Sequence, residues 1–333
     1  MEKSFCMNSR KISILFCRPA GMAGADDQDT LYQAETVSTA LEELGYETRE
    51  LEADMNLVEF RRTLGTHRGS LIFNLFDPSA GEGRFISLFP HILEQEGIPY
   101  TGCSADALYL TSHKIISKRM MLRQGIPTPF WYEAGGLAAG TFFPGRYIVK
   151  SVWEHGSAGL TSDSVVEVSR EEELDELLAA SGRGFFAERF LSGREINIAL
   201  LSDGKDSWEV LPPSEIIYSG KDEHNPFLDY RAKWDESCES YQNSLRSFDF
   251  GSDDDPMLQQ LTAIARECAG LFSLNGYARV DFRMDETGQP HVLEVNANPC
   301  ISPGAGFPEA AAKAGVSYQE MIERIVASSG GTR

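Results

Sequence analysis

The sequence is short of positive charge, of paired cysteines and of long apolar runs. Thirty Lys and Arg stand against 50 Asp and Glu, a net charge of −20. Phosphate backbones and anionic bilayers reward clustered basic residues, so neither nucleic acid nor membrane is an expected partner. A small anionic ligand needs only a local positive pocket and stays open. Six cysteines (Cys6, Cys17, Cys103, Cys238, Cys268, Cys300) are scattered without a CxxC pair. That density is far below a disulfide scaffold and predicts free thiols in a reducing cytoplasm. Histidines at 67, 91, 113, 155, 224 and 291 show no ligand spacing, which argues against zinc. The apolar run Ile12–Cys17 is too short for a signal-peptide core or a bilayer span, and no later segment is long enough. There is no internal repeat and no GxxxxGK[ST] loop.

At 333 residues the chain suits two or three domains. Strand-like runs at 11–18, 47–52 and 70–76 alternate with helical patterns at 28–45, 56–64 and 85–96. The first hundred residues therefore predict an open α/β unit with a mainly parallel sheet. A helix is expected over 104–125, followed by an extended GIPTPFWYE segment. The strand RYIVK (146–150) leads into the loop EHGSAGL (154–160), then the acidic surface helix 170–180 and the strand 185–190. INIALL, WEVLPPSEII, YARVDFRM and PHVLEVN predict an α+β second half built from hairpins. The polar stretch 219–256 reads as a long functional loop, and 309–328 as one amphipathic helix.

The segment 276–299, GYARVDFRMDETGQPHVLEVNANP, carries the most chemistry. Alternation sets Arg279 and Asp281 on one face of one strand, and Glu294 and Asn296 on one face of the next. A hairpin would bring these oxygens and the arginine together. Asp, Glu and Asn are hard ligands of the kind Mg²⁺ takes alongside phosphates, and arginine stabilises developing negative charge. Spacing alone also allows a solvated polar face, although Val280, Phe282, Val292, Leu293 and Val295 read as buried flanks. In the loop after Lys150, the small residues Gly156, Ser157, Ala158 and Gly159 let backbone N–H groups approach phosphate oxygens. Taken alone it is equally an ordinary glycine turn, and Lys114 and Lys150 alone are equally surface charges. Glu188 and Glu195 flank the apolar linker Phe190–Leu191. That pattern suits an adenine sandwich with a carboxylate near the ribose, or two surface glutamates at strand ends.

Together these segments resemble the ATP-grasp superfamily, and within it the D-alanine–D-alanine ligases, from about residue 70 to 328. IPYTG (98–102), the helix with Lys114, GIPTP (125–129), IVK (148–150), the GSAG loop, ERFLSGRE (188–195), DYRAKW (229–234), GYARVDF (276–282) and LEVNANP (293–299) stand in the family's order. The resemblance implies an α/β and α+β ATP-grasp fold: an N-terminal open parallel-sheet (pre-ATP-grasp) domain at 1–103, a central subdomain with the phosphate loop at 104–188, and a C-terminal subdomain with the metal site at 189–333.

It also implies roles. Lys114 and Lys150 would hold ATP phosphates, with Glu154, Gly156, Ser157 and Ala158 in the loop that closes over them. Glu188, Arg189, Phe190 and Leu191 would receive adenine, and Glu195 the ribose. Asp281, Glu294 and Asn296 would carry two Mg²⁺ ions, with Mn²⁺ as a substitute. Arg279 would bind the reacting carboxylate, and Lys233 the γ-phosphate. The implied activity is a cytoplasmic ATP-dependent carboxylate–amine ligase working through an acyl phosphate. Alternatives are D-alanine–D-alanine ligase itself, a kinase on the same fold, and a non-catalytic ATP-binding module. The expected partners are small carboxylates and amines, and the family's habit makes a homodimer an expectation.

The departures concern substrate positions. The N-terminal glutamate motif is replaced by RPAGMAGADDQDT, where Asp26 or Asp27 would substitute. NLFDPSAGEGR (74–84) replaces a histidine-containing stretch, Trp234 stands for a tyrosine, and Ala305 stands for a serine that would bind the second substrate's carboxylate. The resemblance thus predicts ATP and metal binding with a different acyl donor or acceptor.

Overall fold

The computed structural model describes residues 10–18, 25–78, 83–134, 136–137, 142–154, 160–161, 164–203, 207–219, 227 and 238–331. Strand β1 (Lys11–Phe16) pairs in parallel with β2 (Glu47–Glu52) on one side and β3 (Leu71–Asn74) on the other. Helices α1 (Ala25–Glu43), α2 (Leu57–Leu64) and α3 (Leu88–Glu96) cover this sheet. Ile12, Ile14 and Phe16 pack with Val37 and Leu41 of α1, while Leu15 joins Phe60, Leu64, Phe89 and Leu93. A central parallel strand is buried on both faces, which is why β1 is apolar on both faces from Ile12 on apart from Ser13. Its one buried polar residue, Ser13, is satisfied by His67 Nδ1 at 2.8 Å.

The helix predicted over 104–125 is two helices, α4 (Ala105–Ser112) and α5 (Lys114–Gln124). His113 ends the first and caps the second, its Nδ1 accepting from the Ile116 amide at 3.3 Å. A side chain that satisfies an orphan amide makes the break cheaper than continuation. Next, β4 (Trp131–Glu133), β5 (Gly136–Leu137), β6 (Gly145–Ser151), β7 (Val165–Val168) and β8 (Phe185–Arg189) form a sheet in the order β5-β4-β8-β6-β7. Helix α6 (Glu171–Ser181) buries Leu174 and Leu178 against Tyr132, Tyr147 and Val168.

The third sheet is antiparallel, in the order β12-β11-β9-β13-β14 with β10 on β9. Its strands are β9 (Glu195–Ser202), β10 (Trp208–Val210), β11 (Ser214–Tyr218), β12 (Ser244–Ser247), β13 (Tyr277–Met284) and β14 (Pro290–Asn296). Helices α7 (Glu239–Gln242) and α8 (Asp255–Leu271) lie between β11 and β13 in sequence. Ile196, Ile198 and Leu200 of β9, with Ala278, Val280 and Phe282 of β13, pack on Leu261, Ala265 and Cys268 of α8. Period-two alternation then turns Glu195, Asn197, Arg279, Asp281 and Arg283 to the opposite face.

Part of the stretch predicted as loop over 219–256 is therefore ordered: β12 pairs with β11, Arg246 opposite Ile216. Residues 220–226 and 228–237 lie outside the described residues. The C-terminal helix is also two helices, α9 (Gly306–Lys313) and α10 (Tyr318–Ala327). The chain turns at Gly315 (φ +82°) and restarts where Ser317 accepts from the Glu320 amide. That Ser-x-x-Glu signal was available in the sequence. Phe307, Met321, Ile322 and Ile325 of these helices complete the core over β1, so the two ends of the chain share one core. Among the described residues no helix is long and apolar enough to cross a membrane.

The N-terminal unit meets the third sheet at Gly276, where φ is +73° and an added Cβ would lie 2.9 Å from Gly102 Cα. Asn275 Nδ2 ties the same point to the Gly102 and Ser328 carbonyls. Left-handed strain plus backbone overlap predicts that Gly276→Ala loses about 2–4 kcal/mol of stability. Chemical denaturation followed by circular dichroism measures it.

Candidate active site

The second and third sheets face each other across a cleft of about 1200 Å³. Ile148, Lys150 and Glu188 line one wall, and Glu195, Asn197, Arg279, Asp281, Arg283, Leu293 and Glu294 the other. Asp29 and Tyr32 of α1, Arg246 of β12 and the turn Ser302–Gly306 close its far end.

The register of β13 and β14 sets Arg279 opposite Asn296 and Asp281 opposite Glu294. A bulge follows, so Phe282 pairs with Val292. The extra residue leaves Leu293 and Glu294 both half-buried and both on the cleft. Leu293, predicted as a buried flank, is thereby corrected to a cleft residue. Arg279 grips Asp281 with both edges of its fork, Nε to Oδ1 at 2.6 Å and Nη2 to Oδ2 at 2.8 Å. Asn197 Nδ2 adds a third bond to Oδ1 at 2.9 Å. Burial pushes the Asp281 carboxyl above its usual range, and Glu294 and Glu195 add to that push despite Arg279. Burial alone would lower Arg279, but Asp281 raises it. Among the described residues no group of three His, Cys, Asp or Glu could hold a metal. Two carboxylates and an amide instead suit a hard divalent cation that draws its remaining ligands from a phosphate.

Three lysines face this set. Lys114 begins α5, where a helix dipole disfavours a cation, yet it is 8% exposed. Its Nζ donates to the Glu154 carbonyl and lies 3.8 Å from Glu294 Oε2. Burial holds its pKa below the usual lysine value, with Glu294 opposing. Lys118, 1% exposed, pairs with Glu188 and donates to Thr128 Oγ1 at 2.8 Å. Lys150 Nζ bonds the other Glu188 oxygen at 2.6 Å. Burial brings Lys118 down to about 8. Burial alone would raise Glu188, but the two lysines hold it below its ordinary value. The group is therefore charged at neutral pH.

After Glu188 the linker Arg189–Leu191 crosses to the third sheet. The Arg146 and Arg283 guanidinium carbons stand 5.0 and 5.7 Å from the centroid of the Phe190 ring, and Phe227 meets it edge-on at 6.2 Å. Glu195 Oε2 accepts from Arg283 Nη1 at 2.5 Å and from the Tyr218 hydroxyl at 2.6 Å. At the far end the Cys300 thiol donates to Asp29 Oδ2 at 3.1 Å. Burial and that carboxylate push the thiol up to about 12, so it stays protonated.

The cleft thus brings together Lys114, Lys150, Glu154, Glu188, Arg189, Phe190, Leu191, Glu195, Arg279, Asp281, Glu294 and Ala305, with Asn296 beside them in register. Gly156, Ser157, Ala158, Lys233 and Trp234 lie outside the described residues, as does the side chain of Asp26. Sequence reasoning missed Lys118, Asn197, Arg283, Asp29 and Arg246 as members of the cleft or its support. Asn197 and Arg283 continue the alternation of Glu195 and Asp281, so period two alone would have found them. Lys118 lies one helical turn from Lys114, and its partner Glu188 is 70 residues on. Nothing in the local pattern joins Arg246 to the turn at 302–306.

Comparison with known proteins bears on the family and the fold. Residues 142–327 match the family described as D-ala D-ala ligase C-terminus. The chain is 33% identical over 307 residues to the uncharacterized protein y4sG of Sinorhizobium fredii, covering 88% of this chain and 86% of that one. It is 30% identical over 318 residues to a D-alanine–D-alanine ligase of Synechococcus, covering 92% and 91%. Another D-alanine–D-alanine ligase, from Moorella thermoacetica, is 28% identical, covering 95% and 98%. The crystal structure of D-alanine–D-alanine ligase from Bacillus anthracis complexed with ATP superposes with a TM-score of 0.69 at 22% identity, covering 97% of each chain.

Replacing Glu188 with Gln strands two lysine charges in a buried site. Removing one partner of a buried ion group costs about 3–5 kcal/mol, which Glu188→Gln is predicted to show at pH 7. Without Glu188, Lys118 loses the charge that opposes the effect of burial on its folded-state pKa. Between that depressed value and the unfolded value of 10.5 for lysine the unfolded chain binds more protons, so stability rises with pH. Urea denaturation from pH 7 to 10 is expected to show the variant regaining stability relative to the parent.

Proposed function

The chain belongs to the D-alanine–D-alanine ligase family and is an ATP-dependent ligase that forms a C–N bond between a carboxylate and an amine; from that premise we infer the route and the roles. The reaction runs through an acyl phosphate on amino-acid-like or short-peptide-like substrates. The donor carboxylate attacks the γ-phosphorus of ATP, and the bond to the β-phosphate oxygen breaks to release ADP. The amine nitrogen then attacks the acyl carbon, the C–O bond to phosphate breaks, and the amine loses its proton as phosphate departs.

The observation that carries this reading is the facing of two charge sets across one cleft. Lys114 and Lys150 stand on one wall, and Arg279, Asp281 and Glu294 on the other, with Lys114 Nζ 3.8 Å from Glu294. Lys114 and Lys150 suit the phosphates of ATP, and Phe190, Leu191 and Ile148 suit the flat faces of adenine. Glu195, held by Arg283 and Tyr218, presents a fixed carboxylate to the ribose hydroxyls. Asp281, Glu294 and Asn296 are the residues that would hold Mg²⁺, which supplies charge neutralisation for the transferring phosphoryl group. Arg279 is oriented by its two bonds to Asp281 and stabilises negative charge on the reacting carboxylate. Lys233 adds a γ-phosphate contact, the loop 154–160 covers the phosphates, and Gly156 and Ser157 offer backbone donors there. Exclusion of water protects the acyl phosphate from hydrolysis. The lobe at Ala305, Asp29 and Cys300 supports substrates other than a pair of D-alanines, because Ala305 has no hydroxyl to offer a carboxylate.

Incubation with ATP, Mg²⁺ and a panel of carboxylates and amines, followed by mass analysis, is expected to give ADP, free phosphate and an amide. A phosphorylated product would instead identify a kinase. Arg279→Leu is expected to lower kcat by about 10²–10³-fold while leaving nucleotide affinity within about threefold, as read by ADP release and by nucleotide titration.

A further inference from the structure

A buried cation stands on the third sheet beside the linker that leads into β9. Arg283, on β13, lies opposite Glu195 in the register of β13 and β9. Its side chain is 3% exposed and that of Glu195 13%. Arg283 Nη1 donates to Glu195 Oε2 at 2.5 Å. On β11, Ile216 pairs with Glu195, and alternation sets Tyr218 on the face of Ile216. The Tyr218 hydroxyl donates to the same Oε2 at 2.6 Å. Both bonds fall on one oxygen. Among the described residues Glu195 Oε1 takes no hydrogen bond, and Glu195 lines the cleft.

A buried ion pair is a weak source of stability, because desolvation of both charges offsets their attraction. What this one fixes is geometry. A glutamate left to itself samples several rotamers, and ordering it on a ligand costs binding free energy. Two donors on Oε2 select one rotamer before a ligand arrives. The same arginine also touches the apolar side of the pocket. Its guanidinium carbon lies 5.7 Å from the Phe190 ring centroid and 5.7 Å from that of Tyr218, within the range of cation–π attraction. The linker reaches it by a close approach: a Cβ on Gly193 would lie 2.5 Å from the Met284 carbonyl oxygen. The Met284 amide donates to the Arg194 carbonyl at 2.9 Å and closes that contact. Linker, carboxylate and β11 thus meet on one side chain. Burial and Glu195 push the Tyr218 phenol well above its ordinary value, so it remains a donor at neutral pH.

Resting on the ligase reading, which puts the ribose of ATP at Glu195, we propose that Arg283 and Tyr218 are positioning residues that aim Glu195 Oε1 at the ribose hydroxyls and make the protein select ribonucleotides over deoxyribonucleotides. Neither residue takes part in bond making. An acceptor oxygen held in place gains from a hydroxyl donor and is stranded by a sugar that lacks it. A glutamate free to turn toward water discriminates less.

The test is calorimetric titration of Mg²⁺ complexes of ATP, 2′-deoxy-ATP and 3′-deoxy-ATP into the full chain. The readout is the Kd of the weaker deoxy analogue divided by the Kd of ATP. The parent is expected to give a ratio of about 10–100, the scale of a hydrogen bond to a charged group. Tyr218→Phe, which keeps the ring, and Arg283→Met, which keeps an unbranched chain, are each expected to lower the ratio by about threefold or more. A merely structural role would weaken all three nucleotides by one factor and leave the ratio where it was. If Arg283→Met does not fold, Tyr218→Phe decides alone. A parent that binds the three nucleotides alike, or a ratio unchanged in either folded variant, overturns the positioning role and leaves the ligase assignment intact. Failure of Mg²⁺–ATP itself to bind the parent overturns the underlying reading, and this proposal with it.

Discussion

The register of two neighbouring strands governs the chemistry of this protein. Side chains two apart on β13 share a face, and β14 must present its own oxygens to that face for a cation to be shared. The pairing of Arg279 with Asn296 and of Asp281 with Glu294 meets that condition. A slip of one residue would turn Glu294 into the core beneath α8 and bring Val295 onto the cleft. The apolar residues Val280, Phe282, Val292 and Val295 prevent the slip, because each is fully buried on the α8 side. Packing on one side of the sheet thus fixes polar geometry on the other.

The second constraint is electrostatic. A protein of net charge −20 binds a polyanionic nucleotide only where cations are gathered and kept from their own carboxylates. Glu188, itself 1% exposed, resolves the conflict by holding Lys118 and Lys150 together on one wall of the cleft. One buried carboxylate against two lysines leaves positive charge to spare on this wall. On the opposite wall three carboxylates, Asp281, Glu294 and Glu195, stand against Arg279 and Arg283. In the proposed reading a metal-bound phosphate lies between the two walls and offsets the charge of both.

Much of this was legible in the sequence because it is local. The parallel N-terminal sheet follows from apolar runs alternating with helical periodicity, and the charged face of the hairpin follows from period two. Elements that depend on one capping side chain were lost. His113 divides the helix that carries Lys114, and Ser317 restarts the C-terminal helix; both interruptions are bonds to single amides that apolar periodicity does not register. The bulge at Leu293 was likewise hidden, since an extra residue in a strand changes no composition. Contacts across long separations were hidden for a different reason. Lys118 with Glu188, and Arg246 with Gly304 and Glu309, are joined by the path of the chain between sheets, which no local window contains.

The account rests on a divalent cation and a triphosphate sharing the face made by β13 and β14. The most direct measurement is calorimetric titration of ATP into the parent protein and into Asp281→Asn and Glu294→Gln, each with Mg²⁺ and with chelator. The account predicts that Mg²⁺ strengthens binding to the parent by about tenfold or more, an increment of roughly 1.4 kcal/mol, and that the increment disappears in both variants. Equal affinity with and without Mg²⁺ in the parent, or an increment that survives both substitutions, would contradict it.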